Sequence, residues 1–411
     1  MSDVKNIVII GASAAGHSVA NGIANNLPEN YRVILVERNT YVVWSPGTVR
    51  QIVVPGWEDK NFQVEVKQER FFPAGSRHQV LCPNSVVELK KNSVVLEKPF
   101  EGSTELPFEK CVIATGAQQP PPIGAEPGSS IEDFKAHLRK MQDAFKKAQK
   151  ILIIGGGTVG VEVTGELTTE YPGKPITLVH DDPAGLLGPT PRSKPGDEFY
   201  QAPTYGKLSV SLEKQLATRN VEVMLGELVD LPEGTKSGLL DKMTTFKTKS
   251  GKEIEADCVF VSIGNRANSQ IVKAADPGAL SEVQSRILID EFFRVQASSD
   301  DSPMSGEYYA LGDVCANADW KTVVCVGNQA PALAKNILAE VHGQAPTAYK
   351  TSPQTAICVP LGTQGGAGVI PLYGFEIPMP GFIMGMKSKD FFSSKSFFPR
   401  FKGDEKLAFS G

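Results

Sequence analysis

The sequence lacks the features that mark secreted, metal-binding or membrane-spanning proteins. Its 411 residues include only six cysteines, and no pair of them has CxxC or zinc-ligand spacing. We therefore expect neither a disulfide framework nor a metal site. The absence of any apolar run of about 18 or more residues predicts that no helix spans a membrane. The first residues, MSDVKNIVII, lack the basic start and long apolar core of a secretory signal, so we expect a cytoplasmic protein that is not secreted.

Neither sign of charge is in large excess. The formal net charge is −4, which gives no general attraction to nucleic acid. Ser2 occupies the position where N-myristoylation requires glycine, so we expect no lipid there. A hydrophobic content of 41% is typical of a globular protein, and the length suits two or three domains.

A glycine-rich turn follows the first apolar run. Residues Ile7 to Ile10 are typical of a buried parallel strand. The turn matches the dinucleotide-binding pattern GxGxxG with serine in the second glycine position, and its residues are Gly11, Ala12, Ser13, Ala14, Ala15 and Gly16. Small residues here permit the tight turn, the approach of a pyrophosphate and close helix packing. The next strand ends in Glu37, followed by Arg38, where a carboxylate is expected to hold a ribose.

A second turn of the same kind follows the apolar run Ile151 to Ile154. It matches GxGxxG without substitution, and its candidate contacts are Gly155, Gly157, Thr158, Val159 and Gly160. Asp181 after the next strand favours NAD, whereas Arg192 and Lys194 further on would suit the phosphate of NADP. His180 is either a cofactor contact or an uninvolved residue at the strand end. We expect NADH to be preferred and NADPH to be tolerated.

Two pyrophosphate-binding turns in one chain suit hydride transfer between two dinucleotides, because donor and acceptor must be held about 3 to 3.5 Å apart. We expect the first turn to hold FAD and the second NADH or NADPH. Three further motifs belong to this arrangement: CVIATGAQQPPPIG, GEYYALGDVC and CVFVSIGNRAN. Their candidate cofactor contacts are Ala114, Thr115, Gly116, Gly312, Asp313 and Gly264. The carboxylate of Asp313 suits the ribityl hydroxyls of a flavin.

The order of these motifs resembles that of the two-dinucleotide-domain flavoproteins, which include glutathione reductase, type II NADH dehydrogenases and apoptosis-inducing factor. The resemblance implies an α/β fold with two Rossmann-like domains. We expect an FAD domain at 1–122 and 266–345, an NAD(P)H domain at 123–265 and a C-terminal segment at 346–411. Disulfide reductases of this superfamily carry a cysteine pair where this chain reads YVVWSPGTVRQIV, so we expect no thiol relay. Cys315 and Cys325 are interpreted as buried structural thiols.

Two stretches resemble one branch, the AMID or ferroptosis suppressor family, also called apoptosis-inducing factor 2. They are GGGTVGVEVTGELTTEYPGKPITLVH and MKSKDFF. The family passes electrons from FAD to quinones such as ubiquinone, menaquinone and vitamin K, which implies a quinone partner here. The chain departs from the family at Ser2, in an insertion around GLLGPTPRSKPGDEFYQAPTYG and in a longer C-terminus. A homodimer remains open, and no nucleic-acid partner is expected.

The resemblance also implies functional side chains. Glu162 lies early in the helix after the second turn, and we expect it near the nicotinamide and the flavin edge; the alternative is a carboxylate that complements the helix dipole. Lys387 matches a functional lysine of the family that would stabilise reduced flavin or polarise a quinone carbonyl. The alternative is that it is a surface lysine. Arg50 is expected to contact FAD, and the alternative is that it forms an ion pair at the surface. Lys321 is expected to lie beside the isoalloxazine.

The C-terminal segment from 346 is rich in Phe and Met with interleaved Lys and Arg. It is expected either to lie on a membrane, such as that of a lipid droplet, the outer mitochondrial membrane or the plasma membrane, or to form a hairpin and helix on the FAD domain. The leading functional hypothesis is an FAD-dependent NAD(P)H:quinone oxidoreductase. The alternatives are a flavin oxidase or dehydrogenase of a biosynthetic pathway and a redox-sensing, apoptosis-associated binding protein.

Overall fold

A computed structural model describes residues 4–60, 62–119, 122–187, 206–232, 234–263, 266–282, 284–351, 356–372 and 375–391. The elements up to residue 119 are β1 (Lys5–Ile10), α1 (Ala14–Ala24), β2 (Tyr31–Val36), β3 (Tyr41–Val43), α2 (Ser45–Gln51), β4 (Gln63–Glu65), α3 (Gln68–Phe71), β5 (Gln79–Leu81), β6 (Val86–Leu89), β7 (Ser93–Phe100), β8 (Ser103–Pro107), β9 (Lys110–Ile113) and β10 (Ala117–Gln118).

The chain then forms a second series of strands and helices. These are α4 (Ile131–Lys147), β11 (Ile151–Ile154), α5 (Thr158–Glu170), β12 (Ile176–His180), α6 (Gly206–Ala217), β13 (Val221–Leu225), β14 (Gly238–Lys247) and β15 (Glu253–Val261). The remaining elements are β16 (Arg266–Ala267), α7 (Gln270–Ala275), β17 (Ile287–Leu288), β18 (Tyr308–Ala310), β19 (Cys315–Ala316), α8 (Val323–Val341), β20 (Ile357–Pro360), β21 (Gly366–Leu372), β22 (Phe375–Pro378) and α9 (Gly381–Asp390).

Two sheets carry the two glycine-rich turns. The first has the strand order β18-β9-β1-β2-β5, and all its pairs are parallel. The second has the order β13-β12-β11-β15-β14, with β14 antiparallel at the edge. The apolar runs before the turns are buried on both faces because helices cover parallel sheets on both sides. This arrangement confirms the predicted α/β fold with two Rossmann-like units.

The first sheet is completed by a strand from late in the chain. Tyr308 of β18 pairs with Cys111 of β9, although the whole second sheet lies between them in sequence. The two connections between the units also meet, since Ala117 of β10 pairs with Ala267 of β16. The predicted domain boundaries stay predictions.

The strands after residue 356 form an antiparallel sheet in the order β20-β21-β22, and α9 follows it. This sheet contacts α5 and α6 of the second unit rather than the first unit alone. A Cβ on Gly165 would overlap the backbone of Leu361, so glycine allows β20 to approach α5 closely. The strands and helix that the sequence predicts for this segment are present. Their contacts with α5 and α6 place them against the second unit, not only against the FAD unit that the sequence predicts.

Within the described ranges, no helix is both long and apolar enough to cross a membrane. In the same part of the chain, no group of three or more His, Cys, Asp or Glu side chains is arranged to hold a metal ion.

Candidate functional site

The first glycine-rich turn has the backbone geometry that its sequence predicts. Gly11 has a φ of +103°, and a Cβ there would meet the carbonyl oxygen of Ala114 at 2.5 Å. A Cβ on Gly16 would overlap the carbonyl oxygen of Gly11. The turn therefore requires glycine at both ends, and the motif that contains Ala114, Thr115 and Gly116 lies directly against it. Ser13 begins α1 as its N-cap.

Glu37 faces this turn from the end of β2. One carboxylate oxygen accepts a hydrogen bond from the amide of Ala12 at 2.8 Å, and the other accepts one from the amide of Asn39 at 2.9 Å. Burial raises the pKa of Glu37, and these amides oppose the shift. The side chain of Arg38 is exposed. The structure thus places Glu37, and not Arg38, against the turn.

Asp313 lies among cations after β18. Burial raises the pKa of this carboxyl, and the charges of Arg286 and Lys321 oppose that shift. The Lys321 ammonium donates to two oxygens of Asn317 and to the Asp319 carbonyl, and burial lowers its pKa. Gly312, with a φ of +77°, donates its amide to the side chain of Gln329. A role for Lys321 beside the isoalloxazine stays a prediction.

Several buried polar atoms in the described residues have no hydrogen-bond partner within the protein. They include Thr48 Oγ1, Arg286 Nη1 and Asn317 Nδ2. An unpaired buried donor costs about 1–3 kcal/mol, so a polar ligand would satisfy these groups. Arg286 and Asn317 belong to the cluster around Asp313 and Lys321, and this group of polar side chains fits a dinucleotide such as FAD. Sequence reasoning missed all three, and the only signal was a charged residue, Arg286, directly before an apolar strand.

The second glycine-rich turn repeats the geometry of the first. Gly155 has a φ of +105°, and a Cβ on Gly160 would overlap its carbonyl oxygen. A Cβ on Gly157 would meet no atom within 4 Å. This open space at the start of α5, which begins with Thr158 and Val159, is what a pyrophosphate needs in order to approach the backbone.

His180 packs against the second turn. The residue is 3% exposed, and a Cβ on Gly156 would meet its side chain at 2.8 Å. Its Nδ1 lies 3.2 Å from the carboxylate of Asp181. His180 therefore packs against the turn, and its direct contact with the cofactor stays a prediction. The predicted residues Gly264, Arg192 and Lys194 lie outside the described residues.

Glu162 and Lys387, predicted separately as functional, are in contact. The Lys387 ammonium lies 2.7 Å from a carboxylate oxygen of Glu162 and also donates to the carbonyl of Cys358. Burial raises the pKa of Glu162, and the charge of Lys387 opposes the shift. The pair joins α9 to α5, close behind the second glycine-rich turn.

Arg50 lies in a buried ion pair, and the FAD contact that the sequence predicts for it stays a prediction. Its Nε and Nη2 donate to the two carboxylate oxygens of Glu166 at 2.8 and 2.7 Å. Only 1% of the Arg50 side chain is exposed, so this is not the surface ion pair of the alternative interpretation either. Sequence reasoning did not single out Glu166.

Comparison with known proteins identifies relatives over most of the chain. A family model described as pyridine nucleotide-disulphide oxidoreductase matches residues 5–340. Apoptosis-inducing factor homolog A of Dictyostelium discoideum is 28% identical over 334 residues, which are 77% of this chain and 72% of that protein. Ferroptosis suppressor protein 1 of Homo sapiens is 25% identical over 406 residues, or 96% and 95% of the two chains. These matches confirm the resemblance expected from the sequence.

Two solved structures have a similar fold. Reduced Bacillus anthracis CoADR-RHD aligns with a TM-score of 0.59 at 22% identity and covers 86% of this chain. A NAD-dependent persulfide reductase from A. fulgidus aligns with a TM-score of 0.61 at 20% identity and covers 89% of it. This chain spans 60% and 64% of the lengths of those two chains.

Proposed function

The chain belongs to the pyridine nucleotide-disulphide oxidoreductase family, and on that premise we propose that it is an FAD-dependent NAD(P)H:quinone oxidoreductase. The cofactors FAD and NAD(P)H follow from the family, and the quinone is our proposal. When bound, FAD supplies an acceptor for the hydride of NAD(P)H and a donor of the two electrons that, with two protons, convert a quinone to a quinol. The observation that supports the quinone most is the contact between Glu162 and Lys387.

Glu162 has the environment of a proton-carrying group. It is 5% exposed and lies two residues after Gly160. Burial raises the pKa of this carboxyl, and the charge of Lys387 opposes the shift, so burial favours the protonated form of Glu162. Quinone reduction consumes two protons, and a group positioned to deliver them accelerates such a step. We propose that Glu162 transfers protons in quinone reduction.

Lys387 supplies the positive charge of the pair. Its side chain is 18% exposed, so it is less enclosed than Glu162. A cation held in a partly dehydrated site stabilises negative charge that develops on a nearby oxygen. We propose that Lys387 donates a hydrogen bond to a carbonyl oxygen of the quinone.

A pocket of about 440 Å³ lies between β21 and α9, and Ser388, the neighbour of Lys387, is one of its lining residues. Met379, Met384 and Pro378 give this pocket an apolar wall. Pockets that bind small molecules combine such walls with a few polar groups. We propose that it admits the quinone ring.

Large apolar side chains are exposed on the same part of the chain. They are 41 to 72% exposed, three on β21 and β22 and two that lie four residues apart in α9, and we call the set the apolar face: Leu372, Phe375, Ile377, Phe382 and Met386. Exposed apolar clusters of this kind mark protein or membrane contacts. We propose that the apolar face rests on a membrane surface, from which a hydrophobic quinone enters.

The test is an anaerobic spectroscopic titration of the purified protein. We expect a yellow protein whose flavin absorbance is bleached by NADH and restored by a water-soluble quinone faster than by oxygen alone. Restoration by oxygen at the same rate would favour the oxidase alternative. A bleached protein that no quinone reoxidises would overturn the proposed acceptor.

A further inference from the structure

Arg50 contacts both helices that carry the Glu162–Lys387 pair. Its two hydrogen bonds to Glu166 attach it to α5, one helical turn after Glu162. Its third nitrogen, Nη1, donates to the backbone carbonyl of Lys389 at 3.1 Å, two residues after Lys387 in α9. Residues four apart in a helix lie on the same side, so Glu162 and Glu166 project from the same side of α5. Glu162 contacts Lys387 there, and Glu166 contacts Arg50.

The end of α9 is also fixed by aromatic residues around Arg50. The rings of Phe391 and Trp57 lie 4.9 and 4.7 Å from the guanidinium carbon. Phe391 is fully buried and ends α9 with a φ of +54°. The indole of Trp44 donates to the Phe391 carbonyl at 3.1 Å. Residues near α2 thus donate to two of the carbonyl groups that a helix end leaves without intrahelical partners.

These contacts attach α5 and the end of α9 to the same side chain. We propose that Arg50 is a positioning residue, which holds α9 against α5 so that Lys387 stays in contact with Glu162. The ordering of α9 can be tested without any assumption about the reaction, whereas the activity test rests on the proposed function. A planar guanidinium donates to both oxygens of a carboxylate through two nitrogens and to a separate carbonyl through the third, and the compact ammonium of a lysine cannot reproduce that fork.

The first experiment measures hydrogen exchange of the α9 amides in the FAD-loaded protein. We expect faster exchange at residues 387–391 in Arg50→Lys, with an unchanged ratio of FAD to protein. The paired variant Arg50→Met/Glu166→Leu removes both charges, so it leaves no buried charge without a partner, and it should show the same local change. Arg32 makes a similar two-point contact with Glu101 far from α9, and Arg32→Gln is the control.

Two results would overturn the proposal. Unchanged exchange at α9 in both Arg50 variants would show that the helix is held by other contacts. Loss of FAD with unchanged exchange would assign Arg50 to the cofactor instead, as the sequence first suggested.

The second experiment asks whether Arg50 acts through Lys387. We expect Arg50→Lys to lower kcat with a soluble quinone roughly tenfold, a size typical of contacting residues, with the KM for NADH unchanged. In a Lys387→Met background the same substitution should change kcat less than about twofold, because the group it positions is gone. Equal factors in the two backgrounds would contradict the proposal. If the wild-type protein reduces no quinone, the proposed acceptor fails while hydrogen exchange still decides the role of Arg50.

Discussion

The ammonium of Lys387 lies 2.7 Å from a carboxylate oxygen of Glu162, although 225 residues separate them in sequence. The contact joins α9 to α5, the helix that begins at the second glycine-rich turn. A buried carboxyl and a partly buried amine therefore share one site, where the positive charge of Lys387 opposes the rise in the pKa of Glu162 that burial causes.

Replacing Glu162 by glutamine tests the carboxyl. We expect Glu162→Gln to retain FAD and to lower quinone turnover about 100-fold, because general acid–base groups typically contribute 10²–10⁴-fold. Steady-state turnover and the flavin absorbance of the same preparation measure both quantities. Glu170→Gln, at the far end of α5, is the control. Wild-type turnover in Glu162→Gln would remove this carboxyl from the reaction.

Asp313 is expected to be required for FAD. The Asp313→Ala substitution removes a carboxylate whose charge interacts with Arg286 and Lys321, and with it the acceptor that we expect to bind the ribityl hydroxyls of the flavin. We expect this variant to be purified colourless, while Asp300→Ala, at an exposed position of the same unit, remains yellow. A fully loaded Asp313→Ala protein would contradict the assignment.

Local sequence patterns predicted the parts of the fold that depend on local geometry. The runs Ile7–Ile10 and Ile151–Ile154 lie in buried parallel strands. Gly11 and Gly155 have positive φ angles because the turn after such a strand requires them. Both features can be predicted from one sequence, because the apolar pattern marks the buried strand and backbone sterics favour glycine at positive φ.

Contacts between distant segments were not predictable in the same way. Arg50 and Glu166 are 116 residues apart, and neither neighbourhood signals a buried ion pair. The sequence resemblance singled out Glu162 and Lys387 one at a time, but their contact depends on how α9 packs. The position of His180 beneath the turn likewise depends on the missing side chain of Gly156, and strand-end patterns carry no such information.

His78 is expected to make stability depend on pH. Its Nδ1 accepts from the amide of Val33, so its Nε2 donates to the carbonyl of Ala24. Burial lowers the pKa of His78 from 6.5 to about 4. Between these values the unfolded chain binds the proton and the folded chain does not, so stability falls as the pH falls through this window.

Urea unfolding at pH 7.5 and at pH 4.5 should separate this contribution from those of other groups. We expect the loss of unfolding free energy between the two pH values to be smaller in His78→Gln than in the wild type. Identical losses in the two proteins would contradict the assignment.

The apolar face predicts reversible membrane binding. Burial of each phenylalanine side chain contributes about 1.5–3 kcal/mol, so Phe375→Ser/Phe382→Ser should weaken binding to phosphatidylcholine vesicles at least roughly tenfold. Val87 is 56% exposed on β6, outside the face, and Val87→Ser should bind like the wild type. Equal binding of all three proteins, or no binding by the wild type, would contradict a membrane contact.

A substitution at Gly157 tests nucleotide binding at the second glycine-rich turn with little effect on folding. Because a Cβ at Gly157 would meet no atom within 4 Å, Gly157→Val should fold and keep its FAD content, with thermal stability lowered only by the poorer N-cap that valine makes for α5. The added methyl groups would occupy the space that a pyrophosphate needs, so we expect the KM for NADH to rise at least about tenfold, equivalent to a loss of about 1.4 kcal/mol. Gly206→Val adds the same groups to another open position of this unit and should keep the wild-type KM. If Gly157→Val also kept it for both NADH and NADPH, the nicotinamide dinucleotide would have to bind away from this turn.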